Sequence, residues 1–564
     1  MAQHILPFEF NSTTPTKIPA DVFAQLPEGL QQACSESDFL ALYVARLPLH
    51  EIGIPAYAHK LSRSMRDSGS SNVIYPTKEG LFVHIYPDAT GARDHHISIE
   101  PTTVVDIEKI MIRVEESLLV HAEQIGAEED VEAKKVLLIQ LVERLCTTDA
   151  RPQNGKGKSD KIVVTPMELS ALKYRIIRDK IGLGVLQPLL LDPNIEDISC
   201  SGTGHVFVEH KIFRSVQSSL YFGTLDEVDE FVVWLGEWIK HPVTVRNPLI
   251  DAVLPDGSRI NIVYGREISK RGSNFTIRKF SGTPTSFLEL VEFGTMDYLM
   301  ASYLSLMLEE GMNLFVVGAT ASGKTTTLNA ITAFMKADAK IVTIEDTPEV
   351  YVPHKNWIQE MTRHTGSQNK GGDVGMFDLL KAALRQRPDR IIVGEIRSVE
   401  AAVAFQAMQT GHGVMSTFHA ASVEKLIQRL TGDPINIPKT YVDNLNVVII
   451  QSAVQLQNGK SARRILSINE IIGYDPPTDT FSFLEAFRWN PVKDLFEFAG
   501  YMNSYLLEQV IAIKRGIPPT RPKEIYNEVK RRAKVFERLH REQGVTDFND
   551  LFKVLSEARR QKLL

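Results

Sequence analysis

The stretch that decides the fold is Leu314-Phe315-Val316-Val317-Gly318-Ala319-Thr320-Ala321-Ser322-Gly323-Lys324-Thr325-Thr326. Its first four residues are a continuous apolar run, which predicts a short buried strand. From Thr325 the residues through Ile331 predict the start of a helix. Between them, Gly318 to Thr325 meets the phosphate-binding pattern G-x-x-x-x-G-K-[ST] at every fixed position. Gly318 and Gly323 let the backbone curl until successive N–H groups point inward at phosphate oxygens. The helix start adds partial positive charge. Lys324 is placed to reach the β- and γ-phosphates, and the Thr325 hydroxyl to bind magnesium. Gly318 through Thr326 is therefore the expected site for ATP and Mg2+.

Downstream of this loop, strand and helix patterns alternate. Residues 341–344 predict a strand that ends in Glu345 and Asp346, with Glu349 beyond. Met376, Leu379, Leu380, Ala383 and Leu384 keep helical spacing and must stop before Pro388. Residues 390–394 predict a strand with Glu395 at its carboxyl end. Ser398 is the expected cap of the next helix, which ends at Gly411. Residues 413–418 predict a strand that delivers His419, and residues 447–450 another. The glycine-rich residues 366–372 read as a mobile loop. Such alternation implies an open parallel sheet covered on both faces, with ligands beyond the carboxyl ends of its strands. The phosphate loop, Glu345, Glu395 and His419 all follow strands, so all can converge on one nucleotide.

Phosphoryl transfer to water needs a cradle, a metal, and a group that orients and deprotonates the water. Glu395 is expected as that base or as an acid of the magnesium shell, partly through water, with Glu345 as its helper. His419 reads as a sensor of the γ-phosphate or as a structural histidine. Apart from Lys324 the loop brings no positive charge to the transition state. An arginine is expected from elsewhere, in cis or from a neighbouring subunit.

Upstream, residues 162–280 predict a small α+β unit. A helical pattern runs to Leu186, and short strands at 197–200 and 205–209 are split by Gly202 and Gly204. A helix from Leu225 to Lys240 has Phe231, Leu235 and Trp238 on one face. Leu254-Pro255-Asp256-Gly257-Ser258 is a turn between two further strands. Arg259, Arg271 and Arg278 fall at strand ends or turns, where arginines are usually only solvated. Residues 281–286 read as a hinge. Before residue 160 the first 30 residues look irregular, strand signals lie near Val73 and Phe82, and two amphipathic helices follow. His95 and His96 read as a solvated pair. Residues 149–159, rich in Pro, Gly and Lys, read as a linker. The expected fold is α/β in three parts: an accessory domain with mixed helical character over 1–160, an α+β domain and hinge over 161–285, and an ATPase domain over 286–564.

The 564 residues are 43% hydrophobic and 23% charged, with a net charge of −6. From Lys514 onward the balance is +7, so the remainder carries −13. A basic helical tail on an acidic body suggests docking on an acidic partner or a membrane surface, or simply a solvated face. Cys34, Cys146 and Cys200 lie far apart with no C-x-x-C, so no zinc site and no disulfide framework is expected. There is no secretory signal pattern. Residues 401–423 are uncharged but hold Gln, His, Gly, Ser and Thr throughout, which argues against a membrane span.

The run Leu384-Arg385-Gln386-Arg387-Pro388-Asp389-Arg390-Ile391-Ile392-Val393-Gly394-Glu395-Ile396-Arg397-Ser398 resembles the signature of the type II/type IV secretion ATPase superfamily. These are the motors of general secretion, of type IV pili and of the archaeal flagellum. The family's final Asp is Ser398 here. Residues 341–349 resemble its Asp box and residues 410–419 its His box, and the resemblance covers about residues 165–475. The phosphate-loop run and Leu254-Pro255-Asp256-Gly257-Ser258-Arg259 look most like the archaeal branch. The missing C-x-x-C pairs set the chain apart from members with a zinc insertion.

The resemblance implies a RecA-like ATPase domain preceded by a PAS-like domain, assembled as a homo-hexameric ring. It implies that arginines of the N-terminal domain reach the γ-phosphate, which raises Arg259, Arg271 and Arg278 as catalytic candidates. It also implies a cytoplasmic motor, peripheral at the membrane, docking on a polytopic platform protein to drive secretion or assembly of pilus-like filaments. One alternative is a nucleic-acid translocase on the same core. The acidic body and the lack of an interleaved basic and aromatic stripe speak against nucleic acid. The other is a nucleotide-binding scaffold without turnover, against which Lys324, Thr325 and Glu395 stand intact.

Overall fold

Two large sheets organise the chain, one in each of the units into which it divides, Met1–Ser281 and Gly282–Leu564. The computed structural model describes all residues except 1–2, 9–16, 62–64, 66–70, 89–92, 149–160, 281–283, 364–372, 458, 460 and 562–564. The expected linker at 149–159, the expected loop at 366–372 and the first residues of the expected hinge at 281–286 lie outside the described residues.

In the second unit the strands are, in chain order, β1 (Leu314–Val317), β2 (Ile341–Glu345), β3 (Trp357–Met361), β4 (Arg390–Glu395), β5 (Gly413–Phe418), β6 (Val447–Gln455), β7 (Ser461–Asp475), β8 (Thr480–Asn490) and β9 (Leu495–Glu497). Their order across the sheet is β3-β2-β4-β5-β1-β6-β7-β8-β9. The first five junctions are parallel and the last three antiparallel. β1 lies between β5 and β6, with Leu314 opposite Met415 on one side and Val447 on the other. All four of its residues are buried, because helices cover both faces of a parallel sheet. Phe315 packs on Phe405 of the helix Glu400–Gln409, with ring centroids 6.0 Å apart. Val316 joins Leu328 and Ile331 of the helix Lys324–Thr332 in the core on the other face. The antiparallel strands after Gln455 were not foreseen.

Two expectations for this unit are corrected. Ser398 does not cap the helix Glu400–Gln409, which has no side-chain cap at its start. Instead Glu400 reaches back, and its Oε1 accepts the backbone N–H groups of Arg397 and Ser398. Nor is the basic C-terminal stretch simply a solvated tail. The helices Lys523–Arg541 and Phe548–Arg560 bury Tyr526, Phe536, Phe548, Leu551 and Leu555 in the unit's core. Arg532, 1% exposed, bonds Glu309 at 2.5 Å and Glu528 at 2.9 Å. Arg559 donates to the carbonyls of Phe334 and Met335, both at 2.9 Å.

In the first unit, strands from both sides of residue 160 share one sheet. Its order is Leu249–Val253, Arg259–Val263, Asn274–Arg278, Ile195–Cys200, Gly204–His210, Arg214–Phe222, His95–Ile99, Phe82–Tyr86, Val73–Pro76, Ala56–Tyr57. Arg214–Phe222 pairs in parallel with His95–Ile99. The first 30 residues are less irregular than expected, with helices at Ala20–Phe23 and Glu28–Glu36. His96 is not solvated: it is fully buried and its Nε2 donates to Asp192 Oδ2 at 2.9 Å. Among the described residues no helix is long and apolar enough to cross a membrane.

Candidate active site

The phosphate loop leaves β1 as a tight left-handed curl. Ala321 has φ +60° and Gly323 φ +92°, and the helix Lys324–Thr332 starts directly after it. Both glycines are needed where they stand. A Cβ on Gly318 would lie 2.2 Å from the Gln451 carbonyl oxygen and 2.7 Å from Ser322 Oγ. A Cβ on Gly323 would lie 2.9 Å from Gln451 Nε2. The β6–β7 pairing slips at Gln451, a bulge of the kind that re-aims groups beside active sites. Ala319, Thr320, Ala321 and Thr326 are exposed, whereas Ser322 is buried with an Oγ that has no partner. Such a cradle, with inward space that no side chain can fill, fits a polyphosphate.

Lys324 is 7% exposed and donates to the Ala319 carbonyl at 3.0 Å. Burial lowers its pKa, against the pull of Glu395 and Glu349. Its Nζ lies 3.4 Å from both ring nitrogens of His419. Thr325 Oγ1 donates to Glu349 Oε2 at 3.2 Å. Thr325 and Glu349 thus present oxygen atoms of the hard kind that a magnesium ion takes, and Glu395 is a further carboxylate of the site.

Two carboxylates close the site, with opposite environments. Glu345, at the end of β2, is 1% exposed. Its Oε1 accepts the backbone N–H groups of Glu349 at 2.9 Å and Val350 at 2.8 Å. Its Oε2 is buried as well, and burial pushes its pKa up to about 7, against the pull of those amides and of Gln359. Glu395, at the end of β4, is partly exposed and accepts from Arg397 Nε at 2.7 Å on Oε2. His419 Nε2 stands 2.7 Å from its Oε1, which makes no well-aligned hydrogen bond. Burial, and secondarily the charge of Lys324, lowers the His419 pKa, against the pull of Glu395. A buried polar atom without a hydrogen bond calls for an explanation such as a ligand or water, and both Ser322 Oγ and Gln451 Oε1 are in that state beside the loop.

The structure therefore brings Lys324, Thr325, Glu345, Glu395 and His419 to one edge of one sheet. Arg259, Arg271 and Arg278 belong to the first unit. Arg259 and Arg278 are register partners on neighbouring strands, and Arg259 bonds Asp251 with Nε at 3.0 Å and Nη2 at 2.5 Å. Arg271 is exposed at the opposite end of the strand Asn274–Arg278. Two arginines of the second unit escaped the sequence reading. Arg397 lay within a quoted motif but was given no role. Arg463 lies in β7, beyond the last predicted strand, and donates from Nε to the Ala321 carbonyl at 3.2 Å. The short apolar, β-branched stretches Ile465-Leu466 and Ile471-Ile472, with Ile468 between them, were the signal that could have revealed β7.

Comparison with known proteins agrees in kind. The model of the family described as type II/IV secretion system protein matches residues 181–472. An uncharacterized protein of Methanocaldococcus jannaschii is 44% identical over 519 residues, covering 90% of this chain and 93% of that one. The type IV secretion system protein VirB11 of Brucella suis is 27% identical over 332 residues, covering 52% of this chain and 89% of its own. Among solved structures, the Legionella pneumophila ATPase DotB aligns with a TM-score of 0.37 at 19% identity, covering 64% of this chain and 92% of that one.

Proposed function

Because the chain belongs to the type II/type IV secretion system protein family, we propose that it is a magnesium-dependent ATP hydrolase that works as a hexameric motor. The carrying observation is the convergence of Lys324, Glu395, His419 and the buried Glu345 around a phosphate cradle at the carboxyl edge of β1, β2, β4 and β5. The N–H groups of residues 318–326 and Lys324 bind and orient the phosphates. Glu395, held by Arg397 and beside His419, serves as the base that orients and deprotonates the attacking water. Glu345, near half-protonated at neutral pH, assists it as a proton acceptor or donor. Thr325 and Glu349, with Glu395 partly through water, would hold magnesium, which would supply charge neutralisation to the phosphates.

In this reading the second unit is the RecA-like engine. The region over 161–285 is the PAS-like part that carries the candidate fingers Arg259, Arg271 and Arg278, and residues 1–160 are accessory. The motor works in the cytoplasm, peripheral at the membrane, and turns ATP hydrolysis into protein secretion or assembly of pilus-like filaments through a polytopic platform protein. The test is phosphate release by the full chain with ATP and magnesium. The rate should vanish with EDTA or in Lys324→Ala, and should not respond to single- or double-stranded DNA or RNA. Absence of turnover in the assembled wild-type chain would leave the scaffold reading. Strong stimulation by nucleic acid would favour the translocase.

A further inference from the structure

β7 carries two consecutive arginines on opposite faces, as strand alternation requires. Arg464 is 5% exposed and its guanidinium is fully engaged, with Asp494 at 2.8 Å and the Phe293 carbonyl at 3.0 Å. Arg463 points to the phosphate loop. Its Nε donates to the carbonyl of Ala321, the loop residue at φ +60°, and a methyl group on Gly323 would lie 3.1 Å from its Cδ. Arg463 is exposed, and beyond Nε its guanidinium has no bond to any described residue. A guanidinium has five N–H donors in a planar fork. Four of them remain available beside a loop built for phosphate.

We propose that Arg463 binds the phosphate and ribose portion of the nucleotide that ATP and ADP share. It would be a cation supplied to the site by the loop's own unit. The sheet order sets which portion it meets. Glu395 at the end of β4 and His419 after β5 lie on one side of β1, and β7 lies on the other side, beyond β6. The reacting end of the nucleotide belongs with Glu395 and His419, so Arg463 meets the part that does not react. The bond to Ala321 already holds its side chain, which lowers the ordering cost of a further contact. A planar fork suits phosphate oxygens better than a point charge does. An interaction made equally in ground state and transition state lowers KM without raising kcat.

This inference rests on the ATPase reading, and the experiment separates the two. ADP and ATP affinities are measured by titration calorimetry on the full chain, with kcat and KM, for wild type, Arg463→Lys, Arg463→Gln and Arg463→Ala. Arg463→Gln and Arg463→Ala should both weaken ADP and ATP about tenfold or more and raise KM alike, with kcat within about threefold of wild type. Arg463→Lys should keep part of the affinity. If Gln restores what Ala loses, the side chain only braces the Ala321 carbonyl and the proposal is wrong. If kcat falls while affinity is unchanged, Arg463 acts at the reacting end and the proposal is equally wrong. A wild-type chain that binds ADP and ATP with no change in Arg463→Gln overturns this inference alone. A wild-type chain that binds neither overturns the ATPase reading as well.

Discussion

His419 Nε2 lies 2.7 Å from Glu395 Oε1, so the residue that follows β5 meets the residue that closes β4. Lys324 Nζ lies 3.4 Å from each nitrogen of the same ring. The histidine thus touches both the lysine proposed to hold phosphate and the carboxylate proposed to activate water. Burial, and secondarily the charge of Lys324, lowers the His419 pKa.

Gly394 makes room for the second carboxylate. A methyl group there would stand 3.0 Å from Glu345 Cγ and 3.3 Å from its Oε1. Gly394→Ala should displace Glu345 by a few tenths of an ångström and leave the phosphate loop untouched. We expect turnover to fall on the order of 10- to 100-fold, with ADP affinity within a factor of about three of wild type by the tenfold-per-1.4 kcal/mol rule. Steady-state kinetics beside a binding titration reads this, and unchanged turnover would mean Glu345 has no part in the reaction.

Glu345 also makes stability depend on pH. Its pKa is raised to about 7 by burial, above the unfolded carboxylate value. Between those two values the native state holds more protons than the unfolded state, so stability is lost as pH rises through this window. Full ionisation of the buried acid costs on the order of 3 kcal/mol at most. Glu345→Gln keeps the acceptor for the Glu349 and Val350 amides and removes the titration. The nucleotide-free variant should gain on wild type in melting temperature between pH 5 and pH 8. A gap independent of pH would show that Glu345 does not titrate in this range.

The parallel part of the second unit's sheet was largely legible in the sequence because its strands are short apolar runs closed by polar, charged or glycine residues. Residues 314–317, 341–344, 390–394 and 413–418 were each placed on β1, β2, β4 and β5, and the acids fell at strand ends. What escaped was whatever long-range pairing decides. β7 is polar on one face at its start, with Ser461, Arg463 and Ser467, and only its partner β6 fixes Arg463 beside the loop. His96 was read from its neighbour and its polarity, whereas its burial comes from a bond to Asp192, 96 residues away. The C-terminal helices looked basic because charge was counted along the chain. Their amphipathic faces turn Arg532 inward to Glu309 and leave other basic residues outside.

Arg532 is accordingly a stability residue. Removing it leaves Glu309 and Glu528 without their buried partner. Arg532→Ala should lower the unfolding free energy by about 3–5 kcal/mol, whereas Arg560→Ala, whose partner Glu557 is on the surface, should change it by about 0.5 kcal/mol or less. Chemical denaturation compares them. Equal effects would mean the terminal helices are not part of the unit's core. Truncation before Arg515 should likewise destabilise the unit rather than merely weaken docking.

The candidate fingers sort into two groups. Arg259 and Arg278 are register partners at one strand end, and Arg271 lies at the other. Substitution of the true finger by Ala should cost about 10³–10⁵ in rate. If the site is shared between subunits, mixing that variant with Glu395→Gln should restore activity. Arg259→Ala and Arg278→Ala should behave alike in this assay, and Arg271→Ala differently. Mixed rings in which no arginine variant complements would place the finger in cis.

The central claim is tested most directly by one comparison on Glu395→Gln, with ATP affinity and phosphate release measured on the same preparation. The account predicts ATP bound within a few-fold of wild type and turnover lower by about 10²–10⁴. Wild-type turnover in Glu395→Gln would contradict it.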